Sequence, residues 1–168
     1  MKTDVRLLPV EKLECSARGM SGYDYKLYNI SSAISPYLVA GELREKAGEI
    51  EKADENYSEA AKCAIIEGCF SSFDEAMDKL STQEQQIELA KGLAKMLQNN
   101  IRGAYTPGNW DSDRLNNRIS SKEYAERTAY ALKRAGVSKS PNQVFDEEFK
   151  DSIAYIDRMG QVVGFRFR

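Results

Sequence analysis

Apolar residues recur at intervals of three and four along most of this 168-residue chain, the period of one face of an α-helix. "LLPVEKLECSARG" predicts a short helix with Pro9 in its first turn and Gly19 past its end. In "GYDYKLYNISSAIS", Tyr23, Leu27, Ile30 and Ile34 keep helical spacing and predict a second helix. Ser35-Pro36 then reads as a helix start, Ser as N-cap and Pro at the first helical position, followed by Tyr37, Leu38, Ala40 and Leu43 and closed at Gly48. A further helix runs from about Ile50 to Ile66, with Ala53, Tyr57, Ala60, Ala61 and Ala64 on one side and Gly68 at its end.

The pattern continues beyond it. "SSFDEAMDKL" carries the capping-box pair Ser72 and Glu75, and "STQEQQIELAKGLAKMLQNNI" repeats the device with Ser81 and Glu84 ahead of a stripe of Ile87, Leu89, Ala90, Leu93, Met96 and Leu97. Periodicity stops over 102–119, a long loop holding Gly103, Pro107, Gly108 and several Asn and Asp residues. It resumes in "SKEYAERTAYALKRAG", capped by Ser120 and Glu123 and ended by Gly136, and in one more short helix starting near Pro141. The last residues, 152–168, change character. Val163, Phe165 and Phe167 alternate with Gly164, Arg166 and Arg168 beyond a Met159-Gly160 turn, which predicts a β-hairpin with one basic face. The expected fold is mainly α, about seven helices in one domain over 1–168 with a small C-terminal β-hairpin.

Charge sharpens this picture. The net charge is −2, so no global field points to nucleic acid or an anionic membrane. Yet residues 36–88 hold 13 acids against 5 bases, and residues 101–142 hold 8 bases against 4 acids. The three cysteines, Cys15, Cys63 and Cys69, lack metal-site spacing and a histidine to complete a shell, which fits free thiols in a reducing compartment. No apolar run reaches membrane-spanning length, and "MKTDVRLLPVEKLE" has no signal-peptide core. A cytoplasmic protein is expected, though an effector delivered by a non-classical signal would read the same way.

The chain contains no histidine. That excludes a Ser-His-Asp triad, a Cys-His pair and histidine-ligated zinc hydrolases. Phosphate-binding glycine loops, a G-x-S-x-G elbow and a C-x-x-C pair are also absent. No metal or other cofactor is expected. Asp111 and Asp113, beside Trp110, Arg114 and Arg118, are the one carboxylate pair that an enzyme could use. The plainer reading of Asp-Ser-Asp in a polar loop is a turn or a helix cap.

Residues 37–61, "YLVAGELREKAGEIEKADENYSEAA", resemble a tetratricopeptide repeat. Gly41 falls at that family's small position in its first helix and Gly48 at the glycine near the turn. Ala53 and Ala60 match the small residues of the second helix, Tyr57 its aromatic, and Tyr37 stands for the usual Trp. The resemblance implies two antiparallel helices in close contact, and a groove shaped by Tyr37, Gly41 and Tyr57. Ala40 departs from it where Leu is usual, Arg44 where an aromatic is, and Ile65 where a proline is. No second copy follows at the family's repeat length.

Two further sets of residues suggest recognition. Tyr105, Trp110, Arg114 and Arg118 combine residue types enriched at interface hot spots. Arg158, Arg166 and Arg168 with Phe165 and Phe167 could stack on single-stranded nucleic acid, against which the acidic helices argue. Together these features predict a non-enzymatic protein-interaction module: an adaptor, chaperone-like partner or inhibitor. The enzyme or effector built on the 102–119 loop, and the nucleic-acid binder, are the alternatives.

Overall fold

The computed structural model describes residues 9–21, 30–104, 119–150, 152–156 and 162–167. The fold is mainly helical. In chain order the described elements are α1 (Val10–Ser21), α2 (Ser31–Lys46), α3 (Ile50–Glu67), α4 (Phe70–Asp78), α5 (Gln83–Ala104), α6 (Ser121–Arg134) and α7 (Pro141–Phe149). The backbones of β1 (Ser152–Ile156) and β2 (Val162–Phe167) follow, paired antiparallel from Ser152 with Phe167 to Ile156 with Val162. The turn expected at Met159-Gly160 and the basic side chains expected on that hairpin lie outside the described residues.

The chain divides into two compact units, Met1–Leu89 and Ala90–Arg168. In the first, α2 packs on α3, α1 on α2 and α4 on α3. Its core is rich in small residues: Ala33, Ala40, Ala53, Ala60, Ala61 and Ala64 are buried, with Tyr37, Tyr57, Ile65, Phe73 and Met77 filling the space between helices. Small side chains let helix axes approach, and the large ones then interdigitate. In the second unit Ile101, Ala125, Ala129 and Val144 form a core, flanked by Tyr124, Leu132, Phe145 and Phe149.

The turn between α2 and α3 shows why Gly48 is needed. The Glu49 amide donates to the Arg44 carbonyl and the Gly48 amide to the Glu45 carbonyl, both at 2.9 Å. This is a Schellman closure, and it requires a left-handed residue, supplied by Gly48 at φ +77°. The same pair of bonds closes α3 at Gly68 and α6 at Gly136.

Several expected boundaries are corrected. Helix α1 runs through Gly19 to Ser21 instead of ending before it. The helix expected from Tyr23 lies outside the described residues up to residue 29, and Ile30 is the N-cap of α2. Pro36 does not start α2 but sits inside it. The buried positions Ala33, Ile34, Tyr37, Ala40, Gly41 and Arg44 form one unbroken helical stripe across the proline. Continuing that stripe outweighs the single backbone bond the proline removes, and Ser32, whose carbonyl loses the partner, is exposed to water. Ser72 caps nothing, because α4 begins at Phe70 straight after the Gly68 turn, with the Phe73 amide bonded to the Cys69 carbonyl.

The cap of α5 is displaced by one residue. Thr82 accepts from the Gln85 amide, and Gln85 accepts in return from the Thr82 amide. Ser81, the expected cap, instead donates its amide and hydroxyl to Asp54 of α3, at 3.0 and 2.6 Å. Helix α5 also extends to Ala104, so residues 102–104 of the expected loop are helical. The cap of α6 forms as expected between Ser120 and Glu123, and α7 starts at Pro141 behind a second box of Ser140 and Gln143.

Candidate functional site

A groove of about 970 Å³ opens on the first unit. Ile30 and Tyr37 of the α2 region and Cys63 and Ile66 of α3 contribute its apolar lining, each nearly buried. Glu14 and Arg18 of α1 flank it, and the outward face of α3 supplies Glu51, Lys52, Glu55, Ser58, Glu59 and Lys62. The α3 pattern explains this arrangement. Its alanines and Tyr57 turn to the neighbouring helices, which leaves Glu51, Glu55 and Glu59, four residues apart, on the opposite side.

One end of the groove is held by a charged cluster around Arg44, only 9% exposed although charged. Its Nε and Nη2 donate to the two carboxylate oxygens of Glu14 at 3.0 and 2.9 Å, and its Nη1 donates to Glu49. Asn56 adds a third donor to Glu14 at 2.8 Å while also bonding the Lys52 carbonyl. The fork geometry suits a guanidinium, which offers paired donors to a carboxylate. The Arg44 bonds hold the Glu14 and Glu49 carboxyls below the usual range and push the guanidinium further up. The cluster therefore ties α1 to α2, α3 and the turn between them.

On the other side of the hairpin, the Tyr57 hydroxyl donates to Glu45 at 2.9 Å, and Lys79 donates to Glu42 at 2.9 Å while lying 5.7 Å above the Tyr57 ring. Burial first, and then the Glu45 bond, push the Tyr57 phenol up, so it stays neutral. The Glu42 bond raises Lys79, which stays charged.

The charges of the groove are not equally committed. Glu14, Arg44, Lys52 and Asp54 all hold partners, and Arg18 donates to the Glu14 carbonyl. Glu59 and Lys62 approach only to 3.8 Å, both about half exposed. Glu51 and Glu55 are exposed and make no ion pair or hydrogen bond among the described residues. The uncommitted charge of the groove is negative.

Of the residues expected to shape a groove, Tyr37 lines this one. Gly41 and Tyr57 instead meet inside the α2–α3 contact: a Cβ on Gly41 would fall 2.3 Å from the Tyr57 ring. Tyr105, Trp110, Arg114 and Arg118, the carboxylates Asp111 and Asp113, and Arg158 and Arg168 lie outside the described residues, as does the side chain of Arg166. Among the described residues no group of three or more His, Cys, Asp or Glu side chains could hold a metal, and no described helix is long and apolar enough to cross a membrane. Sequence reasoning missed Glu14, Glu49 and Asn56. The one signal for them was Arg44, charged where the resemblance places an aromatic. No protein-family model, curated protein or solved structure matches the chain.

Proposed function

We propose that the chain is a protein-interaction module that holds a segment of another protein in the groove of its first unit. One observation carries this reading: an open groove whose apolar lining, Ile30, Tyr37, Cys63 and Ile66, is bordered by two carboxylates, Glu51 and Glu55, that no described residue neutralises. Apolar surface beneath a polar rim is the anatomy of a recognition site. Adaptor, chaperone-like partner and inhibitor all fit such a module. The close α2–α3 contact supports the tetratricopeptide-like character of the hairpin. Tyr105, Trp110, Arg114 and Arg118 would add a second contact to the partner, and the C-terminal hairpin would offer it a strand. The three free cysteines support a reducing, cytoplasmic setting. Negative uncommitted charge disfavours nucleic acid in this groove.

Ser58 lines the groove from the outward face of α3 and is partly exposed, so Ser58→Trp fills the groove without entering the core. Tagged wild-type chain captures a partner from its own cells, and S58W with an unchanged melting temperature loses it. Equal capture by both forms would place the interaction elsewhere.

A further inference from the structure

Resting on that reading, we infer that the segment held in the groove is a basic amphipathic peptide. The groove needs two properties in its occupant. Ile30, Tyr37, Cys63 and Ile66 line it at 3–6% exposure, a narrow apolar strip that calls for a small apolar face. Glu51, Glu55 and Glu59 offer charge, and among the described residues only Glu59 has a cation near it, at 3.8 Å. Apart from Lys62, which faces Glu59, the cations that line the groove are already used. Arg44 is held by Glu14 and Glu49, Lys52 by Glu49, and Arg18 by the Glu14 carbonyl. An acidic segment would find no uncommitted donor among them, whereas a basic one would find free carboxylates.

The spacing is also specific. Residues four apart on a helix rise about 6 Å, so the three carboxylates span about 12 Å along α3. Lys or Arg side chains match them from every fourth residue of a helix, or from every second residue of an extended chain at about 3.3 Å per residue. The surplus of acids over residues 36–88, 13 against 5 bases, would speed the encounter with such a segment.

The test uses the full chain and two labelled probes, an amphipathic Leu/Lys peptide and its Leu/Glu counterpart, followed by fluorescence anisotropy at low and physiological salt. The Leu/Lys peptide is expected to bind more tightly and the Leu/Glu peptide weakly or not at all. Reversing Glu51→Lys with Glu55→Lys should weaken Leu/Lys binding by about tenfold or more, and E51Q with E55Q by less. The same net change at exposed residues off the groove, Glu75→Lys with Glu88→Lys, should weaken it by less than about threefold. All these positions are at least partly exposed on helices, so melting curves suffice to confirm folding. Equal losses from the two charge-reversed pairs, or equal binding of the two peptides, would overturn the inference. If S58W then abolishes binding of both peptides alike, the groove remains a binding site and only its preference for a basic partner fails. If S58W leaves peptide binding intact, the groove reading falls as well.

Discussion

The Tyr57 ring occupies the space that a side chain on Gly41 would need: a Cβ there would lie 2.3 Å from Cε1 and 2.6 Å from Cδ1. The ring cannot swing aside, because it is 1% exposed and its hydroxyl is tied to Glu45. Gly41→Ala therefore forces the two helices apart at the centre of the hairpin. The strain of overpacking, about 1–3 kcal/mol, exceeds the helix propensity gained by alanine, about 1 kcal/mol. Urea denaturation should show G41A less stable than wild type. Gly92→Ala in α5, where nothing lies within 4 Å of the new methyl, should be neutral or more stable.

Arg44→Met should remove roughly 2 kcal/mol, since it leaves the partly buried Glu14 carboxylate with Asn56 in place of the guanidinium fork. The pH dependence has a definite sign. The Arg44 bonds depress the Glu14 and Glu49 carboxyls in the folded protein below their ordinary 4.5, so as pH falls the unfolded chain takes up protons first. The stability this cluster supplies is whole above about pH 4.5 and is lost as pH falls through the lower, folded values. Denaturation measured from pH 6 down to pH 3 should show a steeper loss for wild type than for R44M.

Ser81→Ala and Thr82→Ala should act through different parts of the fold. T82A removes the cap of α5 and should cost about 1 kcal/mol. S81A removes the hydroxyl bond to the buried Asp54 of α3, costing about 1–2 kcal/mol. In a double-mutant cycle, Asp54→Ala should couple to S81A and not to T82A.

The cysteines should separate cleanly by reactivity. Burial, with the nearby Glu59 charge, pushes the Cys63 thiol up to about 12, so it carries no significant thiolate at pH 8. Cys15 is exposed. Brief iodoacetamide treatment of the native chain at pH 8, read by peptide mass, should alkylate Cys15 and leave Cys63 intact until denaturant is added.

The hairpin of α2 and α3 was legible because it depends on local features: small residues at helical spacing, and glycines where chain reversals need a left-handed residue. The outward row of Glu51, Glu55 and Glu59 showed in the sequence only as part of the acid surplus over residues 36–88, and the fold sets it beside the groove. Errors arose where a local rule met a distant partner. Pro36 looked like a helix start, but a stripe of buried positions reaching back to Ala33 carries the helix through it. Ser81 looked like a cap, but Asp54, 27 residues away, takes its hydroxyl. The pairing of Glu14 with Arg44 spans 30 residues and leaves no periodic trace, so only the fold brings it into view.

Whether the groove along α3 receives the partner is read by amide chemical-shift mapping of the full chain titrated with the Leu/Lys peptide. The largest changes are expected on the α3 face from Glu51 to Ile66 and at Ile30 and Tyr37, with Glu75 and Glu88 little affected. Changes centred on α4 or α6, or spread evenly over every acidic residue, would contradict it.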